Sequence, residues 1–300
     1  MKEREFINII KNTLNSKYIG DDCAYLPELG IVVTQDSLVE GVHFLREKIS
    51  PYELGFKSAA VNISDVCASG AEPKYMTSAI SLPDNTDENF IKEFYKGMQD
   101  GAKGVEVIGG DITGADKIYI SVTAIGTTAG RRIASRKNAK PGQKIIVSGN
   151  HGSSAAGLKL LLSGQDKNNK FIKAHIMPDV QLEFSKRIAA EIKEDYAMMD
   201  TSDGLMDALS AISSESGVML EVDFDKIPHD KDLESFDNWE DLVLFGGEDY
   251  GLVAAANDAY GGTVIGKVLP GCGVKINYKN SSVIYSKEDV EKNLFKHFKE

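Results

Sequence analysis

The sequence predicts an α/β protein, its strands and helices stacked in α+β layers, in two parts. Three observations lead there. Short β-branched apolar runs alternate with longer segments of helical period. Several of those runs end in glycine and aspartate, where α/β sheets open toward a ligand crevice. The rhythm then restarts after Lys137–Gln143, a stretch (KNAKPGQ) with the Pro-Gly and charge content of a linker. The boundary placed there gives an N-terminal domain over 1–137 and a C-terminal domain over 138–300. Three hundred residues suit two ordinary domains or one large one.

Taken in order, the chain begins with MKEREFINIIKNTL, an amphipathic charged helix over about residues 3–14 rather than a signal peptide. YIGDDCAYL follows, a glycine and two aspartates at a turn before a short apolar run. Ile31-Val32-Val33 opens a strand that turns abruptly polar at Thr34, Gln35, Asp36 and Ser37. Pro51 starts a helix that Gly70 ends. Along it Lys57, Val61 and Asp65 share one face, and an acid inside so apolar a helix calls for a cation or a rim position.

YMTSAISLP reads as a strand, and the helix after it takes Asn85 or Thr86 as its cap. VEVIGGDIT and KIYISVTAIGTT are strands, the second cleanly alternating. Beyond the linker come the strand KIIVSG, the loop GNHGSSAAG with the helix LKLLL, and a helix after Pro178. A short strand then runs into MMDTSDGL, where Ser202 is placed to cap the next helix, which Gly217 ends. VMLEVDF, DYGLVAAA, TVIGKV and VKINY are strands, with Gly246-Gly247-Glu248-Asp249 in a tight turn. The halves share this rhythm too weakly to be called a duplication.

Composition narrows the class. No apolar run spans a bilayer, and a net charge of −11 argues against nonspecific nucleic-acid binding and against an anionic membrane surface. Cys23, Cys67 and Cys272 have no zinc spacing and read as free buried thiols, so a reducing, cytoplasmic location is the expectation.

The chemistry lies in the acids. Asp21/Asp22, Asp36, Asp111, Asp200/Asp203 and Glu248/Asp249 sit at turns or strand ends, and Asp65 sits on a helix. Singly, each is an ordinary cap or turn residue. Brought together they would repel and require cations, and Mg²⁺ takes oxygen ligands while bridging substrate phosphates. A magnesium–nucleotide site is the result. The usual phosphate-binding and hydrolase motifs are missing: GxxxxGK[ST], GxGxxG, the kinase set, GxSxG and HExxH. GNHGSSAAG could bind an anion through backbone N–H groups or be no more than a tight turn. His43 is the histidine beside a candidate acid, while His151, His175, His229 and His297 read as loop or surface residues. Arg131, Arg132 and Arg136 form solvated surface, or a phosphate clamp if they face the acids.

GDDCA, TQDSLVEGVHF, KSAAVNISDVCASGAEP, IGGDIT, DTSDGL and GGEDY, in this order, resemble the thiamine-monophosphate kinase family of the aminoimidazole-ribonucleotide-synthetase superfamily. The likeness runs from about Ile19 to Tyr250. It implies an N-terminal sheet that pairs across a homodimer into a barrel, and a C-terminal α/β sandwich. It also implies in-line phosphoryl transfer from ATP to thiamine phosphate with several Mg²⁺ ions. By the same resemblance Asp22, Thr34, Gln35, Asp36, Asp65, Asp111, Asp200 and Asp203 are magnesium ligands, with Asp36 and Asp203 catalytic. Tyr95, Gly110, Asp111, Arg136 and Ser202 match ATP contacts. His43, Glu248 and Phe295 match the thiamine-phosphate pocket. Gln35 departs from the threonine usual in the family.

Other ATP-using members of the superfamily are the near alternatives. The hydrogenase-maturation member needs a C-terminal cysteine where this chain has HFKE, and selenophosphate synthetase needs a reactive Cys with a nearby Lys, which Cys23 lacks. A non-catalytic nucleotide-binding homologue is the alternative of a different class, and the intact set of aspartates opposes it.

Overall fold

The structure, a computed structural model, describes residues 3–296; His297 lies outside them. Its first half runs α1 (Glu3–Leu14), β1 (Ala24–Leu26), β2 (Ile31–Val39), α2 (Pro51–Ala68), β3 (Glu72–Leu82), α3 (Glu88–Gly101), β4 (Glu106–Gly114) and β5 (Tyr119–Thr127). The strands form one sheet in the order β1-β2-β5-β3-β4. Only β3 and β4 run parallel in it, because α3 carries the chain back across the sheet between them.

The second half runs β6 (Lys144–Val147), α4 (Ser153–Leu162), α5 (Lys170–Ile176), α6 (Leu182–Glu191), β7 (Ala197–Asp200), α7 (Leu205–Ser216) and β8 (Val218–Asp223). It continues with α8 (Trp239–Phe245), β9 (Leu252–Ala256), β10 (Thr263–Pro270), β11 (Gly273–Tyr278), β12 (Ser281–Tyr285) and α9 (Lys287–Asn293). Its seven-stranded sheet has the order β12-β11-β8-β10-β6-β9-β7. The short α5, α8, β12 and α9 escape the sequence reading, since each is too brief to show a period. Among the described residues no helix is long and apolar enough to cross a membrane.

Helix α2 organises the molecule. Ser50 and Glu53 form a reciprocal capping box, Pro51 sits in the first turn, and Gly70 takes the left-handed position (φ 78°) just past the end. The helix packs on β2 and β5 of the first sheet and also on β7, α5 and α6 of the second half. That is why it is buried nearly all round rather than along one stripe. One apolar core runs through both halves, from Ile63, Met76 and Phe94 to Ile146, Ile188 and Met198. Each large side chain so buried contributes about 1.5–3 kcal/mol. Against α3 the approach is close enough to need glycine. A Cβ on Gly55 would lie 1.9 Å from the Phe94 carbonyl oxygen, and one on Gly97 would lie 1.8 Å from that of Tyr52.

Two caps differ from expectation. Asp87, not Asn85 or Thr86, caps α3 by accepting from the Phe90 N–H. Ser202 does not cap α7, which starts behind Gly204 (φ 109°) with no side-chain cap. The thiols divide as well: Cys23 and Cys67 are buried, but Cys272 is exposed.

Candidate active site

Carboxylates of Asp22, Asp65 and Asp200 meet with one oxygen of each inside 4.8 Å of the others. They come from three elements: the turn before β1, the last turn of α2, and the end of β7. Each is held by donors. Thr34 Oγ1 on β2 donates to Asp65 Oδ2 at 2.6 Å, and Ser64 Oγ donates to Asp200 Oδ2 at 2.6 Å. Ser202 bends back and donates its hydroxyl (2.7 Å) and backbone N–H (3.2 Å) to Asp200 Oδ1. The hydroxyl that the sequence reading gave to the helix start as an acceptor is instead turned to the Asp200 carboxylate as a donor, and α7 begins two residues later, behind Gly204.

Arg136 Nη2 donates to Asp22 Oδ1 at 2.9 Å, while the backbone N–H of Arg136 and the Ser135 hydroxyl go to Asp21. Of the neighbouring aspartates, Asp21 therefore pins the loop and Asp22 faces the cluster. Arg131 and Arg132 turn elsewhere, to Glu72 and Asp195. Burial pushes the Asp22 carboxyl up to about 6, against the pull of Arg136. Asp65 is held well above the usual carboxylate range by burial and by Asp36, Asp200 and Asp22. So much crowded negative charge is costly unless a cation joins it. The donor set is all oxygen, which suits a hard divalent ion.

The strand alternation of β2 divides its polar run. Thr34 points to α2 and Asp36 lies close enough for its charge to bear on Asp65; the Asp36 N–H also donates to Asn62 Oδ1. Gln35 falls on the other face and accepts from Thr123, its cross-strand partner, at 3.0 Å. Asp111 pairs through Ala79 and Ser121 to Ser37, three strands from β2, roughly 14 Å at about 4.8 Å per strand. Gly110 lies beside it, where a Cβ would meet the Ser78 carbonyl oxygen at 1.9 Å. Within one chain, then, Gly110 and Asp111 are not brought to the cluster. Tyr95 is on α3, packed edge-on against Phe94, and Asp203 lies exposed in the turn after β7.

A second locus lies toward the other end of α2. Glu248, in a left-handed conformation (φ 65°), reaches Lys57 Nζ at 3.1 Å and His175 Nδ1 at 3.4 Å. Burial opposes its ionisation, but Lys57, His175 and His43 together hold it below the ordinary glutamate range. A cavity of about 210 Å³ beside it is lined by His43, Lys57 and His175 and by apolar residues such as Phe44, Leu161 and Ile176. His175 and His151 are thus both buried; His151 is in a loop, as read, while His175 is on a helix and is neither loop nor surface. His151 stands in a glycine-rich loop yet packs against the Gly251 turn, and His175, on the short α5, turns toward Ser154 of α4. Phe295 is 71% exposed.

The glycine-rich loop also resolves. Asp249 accepts from the backbone N–H groups of Gly152 (2.6 Å) and Ser154 (2.8 Å) at the start of α4. The anion at that helix terminus is the protein's own carboxylate. Lys57 and His175 are the residues at this locus without a role in the sequence reading. The signal for the first was present, a lysine inside an apolar helix. His175 carried none, since only the fold brings α5 to Glu248.

Two family models cover most of the chain: AIR synthase related protein, N-terminal domain, over residues 20–128, and AIR synthase related protein, C-terminal domain, over residues 140–279. The two-sheet fold with an acid cluster between its halves is accordingly of the AIR-synthase-related class. Within that class, the thiamine-monophosphate kinase of Aquifex aeolicus is 36% identical over 310 residues, 97% of this chain and 96% of the relative. That of Bacillus subtilis is 37% identical over 253 residues, 80% and 77% of the two chains. The solved structure of AaThiL complexed with AMPPCP and TMP matches with a TM-score of 0.87 at 34% identity, covering 99% of this chain and 97% of that one. The chain belongs to the thiamine-monophosphate kinase family.

Proposed function

We propose that the protein transfers the γ-phosphoryl group of ATP to thiamine phosphate. A phosphate oxygen of the acceptor forms the new P–O bond, the bond to the ADP oxygen breaks, and thiamine diphosphate and ADP result. The observation that carries this reading is the convergence of Asp22, Asp65 and Asp200 within 4.8 Å beside Arg136. Family membership supports it, as does the relative's complex with AMPPCP and TMP. Phosphoryl transfer depends on positioning and charge neutralisation, and that is what this arrangement offers.

Asp22, Asp65 and Asp200, with Thr34, Asp36 and Asp203, would hold Mg²⁺, which when bound neutralises phosphate charge and links the two substrates. Arg136 also suits a phosphate. Its Nε is buried and has no hydrogen-bond partner among the described residues, so a phosphate oxygen would satisfy a donor otherwise left bare. Ser202, bonded to Asp200 in the cluster, is assigned to the nucleotide, as is Tyr95. A cavity of about 410 Å³ opens beside Asp22, between Tyr18, Tyr25 and Ile133, with room for a nucleoside. His43, Glu248 and Phe295 are assigned to the acceptor. A fixed carboxylate suits a cationic ring.

We assign Gln35, Gly110 and Asp111 to a site shared between two copies. Gln35 and Asp111 lie on the open face and far edge of the first sheet, and β4 there exposes Ile108 and, at 63%, Ile112. Pairing of this sheet with a second copy would cover them and bring the partner's acid near Asp36. The division at 137/138 is supported by the interval between the two family-model matches. Incubation with ATP, Mg²⁺ and thiamine phosphate tests the reading. Thiamine diphosphate should form, and free thiamine offered in parallel should not be consumed. Hydrolysis of ATP with no thiamine diphosphate formed would reject it.

A further inference from the structure

The turn of α2 that carries Lys57 lies about 12 Å from Asp65, eight residues along the same helix. A lysine with a side chain 1% exposed is rare without a strong reason, and its partner here is Glu248 Oε1 at 3.1 Å. The second oxygen, Oε2, faces His175 Nδ1 at 3.4 Å, and that nitrogen is also 3.0 Å from Ser154 Oγ in the first turn of α4. The hydrogen bond of Nδ1 is to Ser154, and Glu248 Oε2 lies within electrostatic reach of the same ring. The Glu248 backbone is pinned as well, its N–H donating to the Ser202 carbonyl. Two helices, α2 and α5, therefore face one carboxylate at both oxygens, and the same Lys57 and His175 line the cavity together with His43. Such fixing exceeds what stability requires, because a glutamate at a turn could have pointed to water.

We propose that Lys57 and His175 are positioning residues of the acceptor site, each holding one oxygen of Glu248 so that the carboxylate is preset for a cationic heteroaromatic ring. This rests on the assignment of Glu248 to the acceptor pocket. A preset charge needs no rearrangement when the ligand arrives, whereas a free glutamate side chain loses rotamer freedom on binding. The same helix thereby spaces the acceptor ring from the acid cluster that receives the phosphates.

The test separates acceptor from nucleotide. Lys57→Met should raise KM for thiamine phosphate by about tenfold or more, the value of one charge-assisted hydrogen bond, and leave KM for ATP within about twofold. Made in a Glu248→Gln background, it should add less than about twofold, because the effect passes through Glu248. An equal loss in both backgrounds would mean that Lys57 touches the substrate itself, and an unchanged KM would mean a structural role; either overturns the proposal. His175→Phe carries the same cycle if Lys57→Met does not fold. A wild-type protein that makes no thiamine diphosphate would sink the functional reading first, and this inference with it.

Discussion

Ser64 of α2 donates a 2.6 Å hydrogen bond to Asp200 at the end of β7. The pair joins the first half of the chain to the second across 136 positions, and both side chains are buried. A serine beside Asp65 thus orients the carboxylate that comes from the other half. Ser64→Ala should cost about 1–3 kcal/mol, since Asp200 keeps its burial and loses a donor. Urea unfolding would show the loss as a lower midpoint at constant slope.

Asp65→Asn should lower kcat by about 10²-fold or more, the scale seen when a preorganised charge-stabilising group is removed. It should also raise the melting temperature in metal-free buffer, because burial and three neighbouring acids disfavour the charged side chain. Calorimetry with EDTA, set beside a rate assay, checks both signs. An unchanged rate would remove Asp65 from the site.

Magnesium itself should stabilise the wild type. At 100 times its Kd a ligand of the folded state adds about 2.7 kcal/mol. The gain in melting temperature on adding Mg²⁺ to stripped protein should be lost in Asp200→Asn. Persistence of the full gain in that variant would place the ion elsewhere.

Asp65→Asn and Asp111→Asn should complement each other if the site is shared. Mixed and re-equilibrated, the two inactive variants form heterodimers with one intact site, so about a quarter of the wild-type rate should return. Mixtures that stay inactive after demonstrated subunit exchange would confine the site to one chain.

His151 is 1% exposed and neither ring nitrogen has a partner among the described residues. Burial lowers its pKa from 6.5 to about 4. Below pH 6.5 the unfolded chain takes the proton and the folded one resists it. Stability is therefore whole above pH 6.5 and falls as pH drops toward 4, by roughly 3 kcal/mol in the limit. His151→Leu removes both the titration and the bare nitrogens. It should flatten the acid side of the stability profile, and urea midpoints at pH 7 and pH 5 compare the two proteins directly.

Much of the site was legible before any fold was known. Aspartates at strand ends, beside glycine and in six ordered motifs, marked a carboxylate site, and a lone acid inside α2 marked its centre. Alternation along β2 is equally readable, yet which face meets α2 is not, and Gln35 joins Thr34 and Asp36 as a ligand only through the family resemblance. Ser202 reads as a helix cap because helix starts favour serine, but α7 starts behind Gly204 and the hydroxyl donates to Asp200 instead.

By itself the sequence determined the α/β class, the limits of α2 through Pro51 and Gly70, and the residue types of a phosphate-and-cation site. These depend on local propensity and on chemistry that each residue carries wherever it goes. Only the tertiary structure decided that Asp22, Asp65 and Asp200 meet, that Asp111 does not join them within one chain, and that Lys57 and His175 hold Glu248. Those relations join positions dozens to nearly two hundred residues apart. They arise from the packing of α2 between two sheets, which no short stretch of sequence encodes.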